Sequence, residues 1–211
     1  MRFDVLQPAD VAEMVSVLGE TFAHRDPPAV AVELAPSEFE FFVKQYGPKA
    51  IDERLTIVAR SDTGELAGAL LAEDSATAAP ESLNQISPKF DPIFDILGQL
   101  DGEYRSTRNI QAGEAIHLFL LGVSPRFAGR GVAQGLVSAC LTNGMTRGYR
   151  LAMTEATNRT SQHVFRKLGF VERVRRPYAD HRFNGRVYFH AIADQGGPIL
   201  MDRELARETV S

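Results

Sequence analysis

The sequence predicts one α/β (α+β) domain spanning residues 1–211, and three observations carry that expectation. Apolar residues recur at three- and four-residue steps in several segments, as helices with one buried face require. β-Prone runs alternate with turn residues. Between residues 117 and 156 a nearly continuous apolar run passes through a glycine-containing turn into a helical pattern and then a further β-prone run, a strand–loop–helix–strand unit.

Taken in order, Val11, Met14, Val15, Leu18 and Phe22 share one face of a helix over Asp10–Phe22, with Asp10 and Glu13 at capping-box spacing. Asp26-Pro27-Pro28 ends it. Ser37 and Glu40 offer a second capping box before Phe39, Phe42 and Val43, and that helix ends near Gly47-Pro48. Leu55–Arg60 and Leu66–Ala72 read as antiparallel strands joined by the turn Ser61-Asp62-Thr63-Gly64-Glu65. Residues 73–113 carry Pro80, Pro88 and Pro92 between short apolar clusters, which predicts a helical insertion that either walls a substrate pocket or simply covers sheet. His117–Val123 has the apolar continuity of a strand buried on both faces. Val132, Leu136, Val137, Cys140, Leu141 and Met145 mark the following helix, Leu151–Ala156 a strand, and Asn158–Leu168 a short helix closed by Gly169. Strands are then expected at Val171–Arg176 and Arg186–Asp194, with a polar, loosely held tail after Gly196-Gly197-Pro198.

Composition narrows the function classes. A net charge of -4 offers no general attraction to nucleic acid and suits a cationic small molecule better than an anionic polymer. The lone Cys140 rules out an intrachain disulfide or a cysteine-rich zinc site and fits a reducing, cytoplasmic setting. Its place on the apolar helix face makes it a packing residue. His163, His181 and His190 lack metal-ligand spacing with any cysteine or acid, so no metal is expected. Neither a basic leader nor an uninterrupted apolar stretch of about 18 residues is present, so export and membrane insertion are not expected. A homodimer is compatible with the sequence.

The informative element is Val123-Ser-Pro-Arg-Phe-Ala-Gly129-Arg-Gly131-Val-Ala133, placed between the buried strand and the long helix. Glycines at 129 and 131 let backbone approach a ligand, while the first helical N–H groups lack internal partners and the helix dipole favours an anion. A pyrophosphate suits such a site, although a Gly-x-Gly turn alone is equally a structural turn. No lysine follows it as a P-loop requires.

This segment resembles the acetyl-CoA-binding motif of the GNAT superfamily of N-acetyltransferases, a valine ending the fourth strand followed by R/Q-x-x-G-x-G/A. The aligned residues are Ala128, Gly129, Arg130, Gly131, Val132 and Ala133, with Ala128 where arginine or glutamine is usual and Arg126 and Arg130 near enough to supply charge. Downstream, Asn158, Ser161, Phe165, Leu168, Gly169 and Phe170 resemble the family's N-x-x-A/S-x-x-x-Y-x-x-x-G-F helix. The specific matches lie within residues 117–170. The resemblance implies a central mixed, mostly antiparallel sheet of six to seven strands flanked by helices, with a V-shaped splay between the fourth and fifth. It further implies that Leu121, Gly122 and Val123 line the pantetheine arm of acetyl-CoA, with the loop residues 128–133, Asn158, Ser161 and Phe165 completing the cofactor site.

The implied reaction is direct attack of an amine on the thioester, which needs a base, a polarised carbonyl and a proton for the departing thiolate. Phe165 replaces the family's acidic tyrosine, leaving Ser161, Tyr178 or solvent as proton source. His117 is the first choice as base, with an unperturbed pKa of about 6.5. Among GNAT branches the arylalkylamine acetyltransferases are the nearest resemblance. The vertebrate strand H-x-H-x-x-x-V matches at His117 and Val123, with Phe119 at its second histidine, and the insect acid–proline pair after the first helix matches Asp26-Pro27. Asp26 is therefore the rival base, or else a helix-breaking turn residue. Arg173, Arg175 and Arg176 are either a solvated strand edge or a contact for the cofactor's 3'-phosphate. The expected acceptor is a small primary amine, aryl or alkyl. The alternatives are a peptide N-terminus or lysine, and a non-catalytic acyl-CoA sensor.

Overall fold

The computed structural model describes residues 1–205. The strands are β1 (Arg2–Val5), β2 (Ile57–Arg60), β3 (Leu66–Asp74), β4 (Ala115–Val123), β5 (Leu151–Ala156), β6 (Val171–Arg175) and β7 (Ile199–Glu204). The helices are α1 (Val11–Arg25), α2 (Pro27–Ala31), α3 (Pro36–Gln45), α4 (Gly47–Glu53), α5 (Asp91–Ser106), α6 (Val132–Thr146) and α7 (Arg159–Lys167). One sheet forms in the order β1-β2-β3-β4-β5-β7-β6, antiparallel throughout except for the β4–β5 pair. The parallel pair follows from its connection, since a crossover through α6 returns the chain to the same end of the sheet.

Each sheet face carries its own core. Leu136, Val137 and Cys140 of α6 pack on Leu70, Ile116 and Leu118. Met14, Leu18, Phe39, Phe42, Phe90 and Ile96 of α1, α3 and the insertion cover Val58, Ala69, Leu71 and Leu120 on the other face. The Cys140 thiol sits against the Leu55 carbonyl, and burial pushes its pKa up to about 12, which leaves it unreactive.

The capping boxes fall three residues earlier than expected before α1 and two residues earlier at α3. Asp10 accepts the Gln7 N–H at 2.9 Å and pairs with Arg60 at 2.5 Å. At α3, which starts at Pro36, Glu38 rather than Glu40 reaches back to the Ala35 N–H at 2.8 Å. The same carboxylate holds the Ser87 hydroxyl and Lys89 ammonium, so it ties α3 to the insertion. After β3, residues 81–85 and 88–90 make short helical turns that lead into α5. Tyr104 of α5 donates to buried Asp202 of β7 at 2.6 Å, anchoring the insertion to the sheet.

Three segments depart from the sequence expectation. β1 pairs with β2 from the first residues, a strand the sequence pattern does not mark because four residues are too few to show a period. Residues 186–194 do not form a strand: Phe183 and Arg186 make an isolated bridge, and His190–Gln195 is a helical turn. The last strand lies instead in the supposed loose tail, where Ile199–Glu204 inserts between β5 and β6 and residues 199 to 202 are almost fully buried. Its apolar portion is only three residues long, too short to stand out beside the charged Asp202, Arg203 and Glu204.

Candidate active site

The site begins where β4 and β5 separate. Their parallel register runs from Ala115↔Leu151 to His117↔Met153 and stops. Thr154 makes the last link, its hydroxyl donating to the Leu118 carbonyl at 2.8 Å. In β4 the pairing with β3 skips Phe119, so Leu120 faces Leu71 and Leu118 faces Ala72. This bulge reverses the side-chain alternation: Leu118 joins the α6 core and Leu120 the α1 core. From Phe119 to Val123 the β5-facing edge of β4 has no strand partner among the described residues, which leaves backbone groups for a ligand.

Beyond β4, Gly129 and Gly131 adopt φ of +75° and +76°, a conformation that costs other residues energy, and nothing lies within 4 Å of a Cβ added at either. Gly131 starts α6 without any side-chain cap, and the first turn carries no acidic residue. The N–H groups there are available to an anion. Of the two arginines expected to compensate for Ala128, Arg126 pairs with Glu65 at 2.6 Å and Arg130 lies over the Phe127 ring. An anion at this turn would therefore rely chiefly on backbone dipoles. The loop, the uncapped helix and the splay fit a pyrophosphate followed by an extended pantetheine arm.

The splay opens into a cavity of about 120 Å³. Phe22, Phe39, Phe42, Phe90, Phe94 and Phe119 give it an aromatic wall, while Leu121, Thr154, Glu155, Asn158, Ser161 and Phe165 form the β4–β5–α7 side. Asp26, the residue between α1 and α2, is a buried acid on its lining. It caps α2 by accepting the Ala29 N–H at 3.4 Å and accepts the Thr157 hydroxyl at 2.5 Å. Burial pushes its pKa up to about 6, with the Thr157 and Ala29 hydrogen bonds opposing the shift. A carboxylate whose pKa is raised to about 6, which pairs with no cation among the described residues and faces a largely apolar cavity, is equipped to take a proton.

The other predicted residues fall differently. His117 lies between two carboxylates, Nε2 at 2.6 Å from Glu155 and Nδ1 at 3.2 Å from Glu73. Burial alone would lower its pKa, but the Glu155 and Glu73 carboxylates outweigh burial and raise it to about 10. At neutral pH the ring is imidazolium, with both nitrogens donating and no lone pair for a substrate proton. Ser161 lines the cavity, yet its hydroxyl donates to the Asn158 carbonyl at 2.9 Å, while the Asn158 side chain caps α7. Tyr178 is fully buried, its hydroxyl donates to the Thr157 carbonyl at 2.7 Å, and burial raises its pKa far above the usual phenol value. It does not line the cavity, so it supports the Thr157 turn instead. Phe165 lines the cavity and packs on Phe170. Arg173, Arg175 and Arg176 are engaged by Asp202, Glu172 and Glu103. Sequence reasoning missed Thr157, Glu155 and Glu73, which reach Asp26 and His117 only through tertiary pairing.

Residues 23–170 match the model of the Acetyltransferase (GNAT) family, a span that begins before α2 and ends after α7. The chain belongs to that family. Solved structures similar in fold include the C-terminal condensation domain of Ebony in complex with beta-alanyl-dopamine, at 13% identity and a TM-score of 0.89, covering 96% of this chain and 98% of that one. Arylalkylamine N-acetyltransferase 2 from Aedes aegypti follows at 22% identity and 0.81, over 97% and 99%. The polyamine N-acetyltransferase of Drosophila melanogaster, described as forming N-acetylagmatine, gives 18% and 0.75, over 97% and 99%. The seven-stranded sheet with its parallel β4–β5 pair is thus the GNAT fold, and the protein is a GNAT N-acetyltransferase. No helix among the described residues is long and apolar enough to cross a membrane.

Proposed function

We propose that this GNAT enzyme moves the acetyl group of acetyl-CoA onto the primary amine of a small aryl- or alkylamine, with Asp26 rather than His117 as general base. The observation that carries the reading is a buried, unpaired Asp26 carboxylate with a pKa of about 6 on an aromatic cavity, at the splay between β4 and β5. Acetyl-CoA supplies an acyl thioester, activated for attack by nitrogen. The unpartnered edge of β4 at Leu121 and Val123 and the turn 128–133 hold its pantetheine and pyrophosphate. The aromatic wall excludes water and orients the acceptor, which lowers the entropic barrier to attack. Asp26 accepts one proton from the acceptor ammonium, and the freed nitrogen forms the new C–N bond as the C–S bond breaks. The nitrogen then sheds its second proton, which reaches the departing thiolate through water or the Ser161 hydroxyl, since Phe165 has none to give.

A compact, ring-lined cavity of about 120 Å³ favours a small acceptor over a peptide N-terminus or lysine, which needs an extended groove with backbone acceptors. A cytoplasmic setting suits the single buried thiol. Thermal unfolding with acetyl-CoA, ATP or NAD, followed by CoA release over an amine and peptide panel, tests the reading. Stabilisation by acetyl-CoA alone, with release driven by small amines, is expected. Stabilisation without any release makes the protein a sensor, and release driven only by peptides gives it a macromolecular acceptor.

A further inference from the structure

Thr157 is the one residue between the end of β5 and Asn158, the cap of α7, and two buried side chains serve the backbone there. Gln162 of α7 donates to the Ala156 carbonyl at 3.1 Å and to the Gly197 carbonyl ahead of β7 at 3.0 Å. Tyr178 donates to the Thr157 carbonyl at 2.7 Å. Both side chains are almost fully buried, so water cannot readily take over their bonds and the turn is held in one arrangement.

What this clamp holds in place is the Thr157 hydroxyl, which donates to Asp26 Oδ1 at 2.5 Å from 131 positions away. Both residues line the aromatic cavity. The two carboxylate oxygens are thereby unlike: Oδ1 carries the short bond, whereas Oδ2 is met by the Ala29 N–H at 3.4 Å. A proton on Oδ2 leaves Oδ1 as the carbonyl acceptor and keeps the Thr157 bond strong, while a proton on Oδ1 makes that oxygen a poorer acceptor. The charged and titratable groups around Asp26 are Arg25 and Glu155 on the same lining and Tyr178 behind Thr157. None of them is the main influence, since burial and the two hydrogen bonds set its proton affinity.

We propose that Thr157 is a positioning residue for the general base: its hydroxyl pins Asp26 Oδ1 and leaves Oδ2 as the oxygen that takes the acceptor's proton. This rests on the reading of Asp26 as base. Because the hydroxyl donates to the carboxylate, it favours the ionised form and works against burial. Without it the carboxyl stays protonated, and idle as a base, to higher pH.

The test uses the full chain and reads two acidic midpoints, one from the pH dependence of kcat/KM and one from the carbon-13 resonance of the Asp26 carboxyl, assigned by its loss in Asp26→Asn. Thr157→Val keeps the shape and removes the donor, so both midpoints are expected to rise by about one pH unit or more, with kcat falling about tenfold as the carboxylate loses its orientation. Thr157→Ser restores the hydroxyl and should return both midpoints to their wild-type values. Should Thr157→Val fold poorly, Thr157→Ala removes the same donor at this partly exposed position and carries the same expectation. Midpoints that stay at the wild-type values when the donor is removed, even with a slower enzyme, or that rise as far in Thr157→Ser, overturn the positioning role. If the carboxyl midpoint rises while the acidic limb of kcat/KM does not move, Thr157 does tune Asp26 and the inference stands, but Asp26 is not the base and that reading fails.

Discussion

Replacing Asp26 by Asn removes the proposed base and keeps one oxygen, which can accept from Thr157 or from Ala29 but not from both, since they donate to different Asp26 oxygens. Two effects of opposite sign follow. Loss of a general base lowers kcat/KM by about 10²- to 10⁴-fold. Stability moves the other way. The native pKa of about 6 lies above the ordinary value of 3.8, so the folded state holds this proton more tightly than the unfolded state does. Asp26 therefore weakens the fold whenever it is ionised, an effect absent below pH 3.8 and complete above about pH 6. A shift of that size corresponds to about 3 kcal/mol at neutral pH, an upper value for the stabilisation that Asn can recover. The assay is the pH dependence of kcat/KM from about pH 5 to about pH 9, together with urea unfolding at neutral pH. Wild type should show an acidic limb with an apparent pKa of about 6, and the variant should lose that limb as its stability rises. A variant that keeps both the limb and the rate refutes the assignment of the base.

Further predictions follow from the surroundings. Gly131→Glu puts a carboxylate at the start of α6 and should weaken acetyl-CoA binding by more than about 100-fold, whereas Gly131→Ala adds only backbone strain at φ +76° and should retain most of the affinity; titration calorimetry separates the two. His117→Gln should cost about 3 kcal/mol in urea unfolding at neutral pH, because Glu73 and Glu155 lose their shared cation, yet the acidic limb should persist. With a native pKa of about 10 and an ordinary value of 6.5, the stability His117 supplies is complete below pH 6.5 and lost as pH rises through about 10, so wild type should weaken across that window and the variant should not. Tyr104→Phe leaves buried Asp202 one donor short and should cost about 1–3 kcal/mol in the same unfolding assay.

What the sequence could disclose was set by how local each feature is. The turn at 128–133 and the α7 cap at Asn158 lie in consecutive residues, and their glycines and capping side chains take the expected conformations. Each helix face repeats within a single segment, which is why α1, α3 and α6 were legible. Asp26 was visible as an acid before two prolines, but the burial that raises its pKa and the Thr157 hydroxyl, 131 positions away, come only with the tertiary fold. His117 shows the same limit more sharply. As an isolated histidine it resembles a base, but carboxylates 44 and 38 positions away convert it into a held cation. The β4 bulge at Phe119 escaped notice because an unbroken apolar run carries no mark of register. β7 was hidden because its apolar stretch is short and its burial depends on neighbours β5 and β6.

The most direct test of the account is mass-spectrometric analysis of a reaction containing the purified chain, acetyl-CoA and a small primary amine near neutral pH. The account predicts N-acetylated amine and free CoA in equal amounts, formed at an amine-dependent rate and without an acetylated protein intermediate. An acetyl group retained covalently on the chain, or no amine-dependent product with any small amine while acetyl-CoA binds, contradicts it.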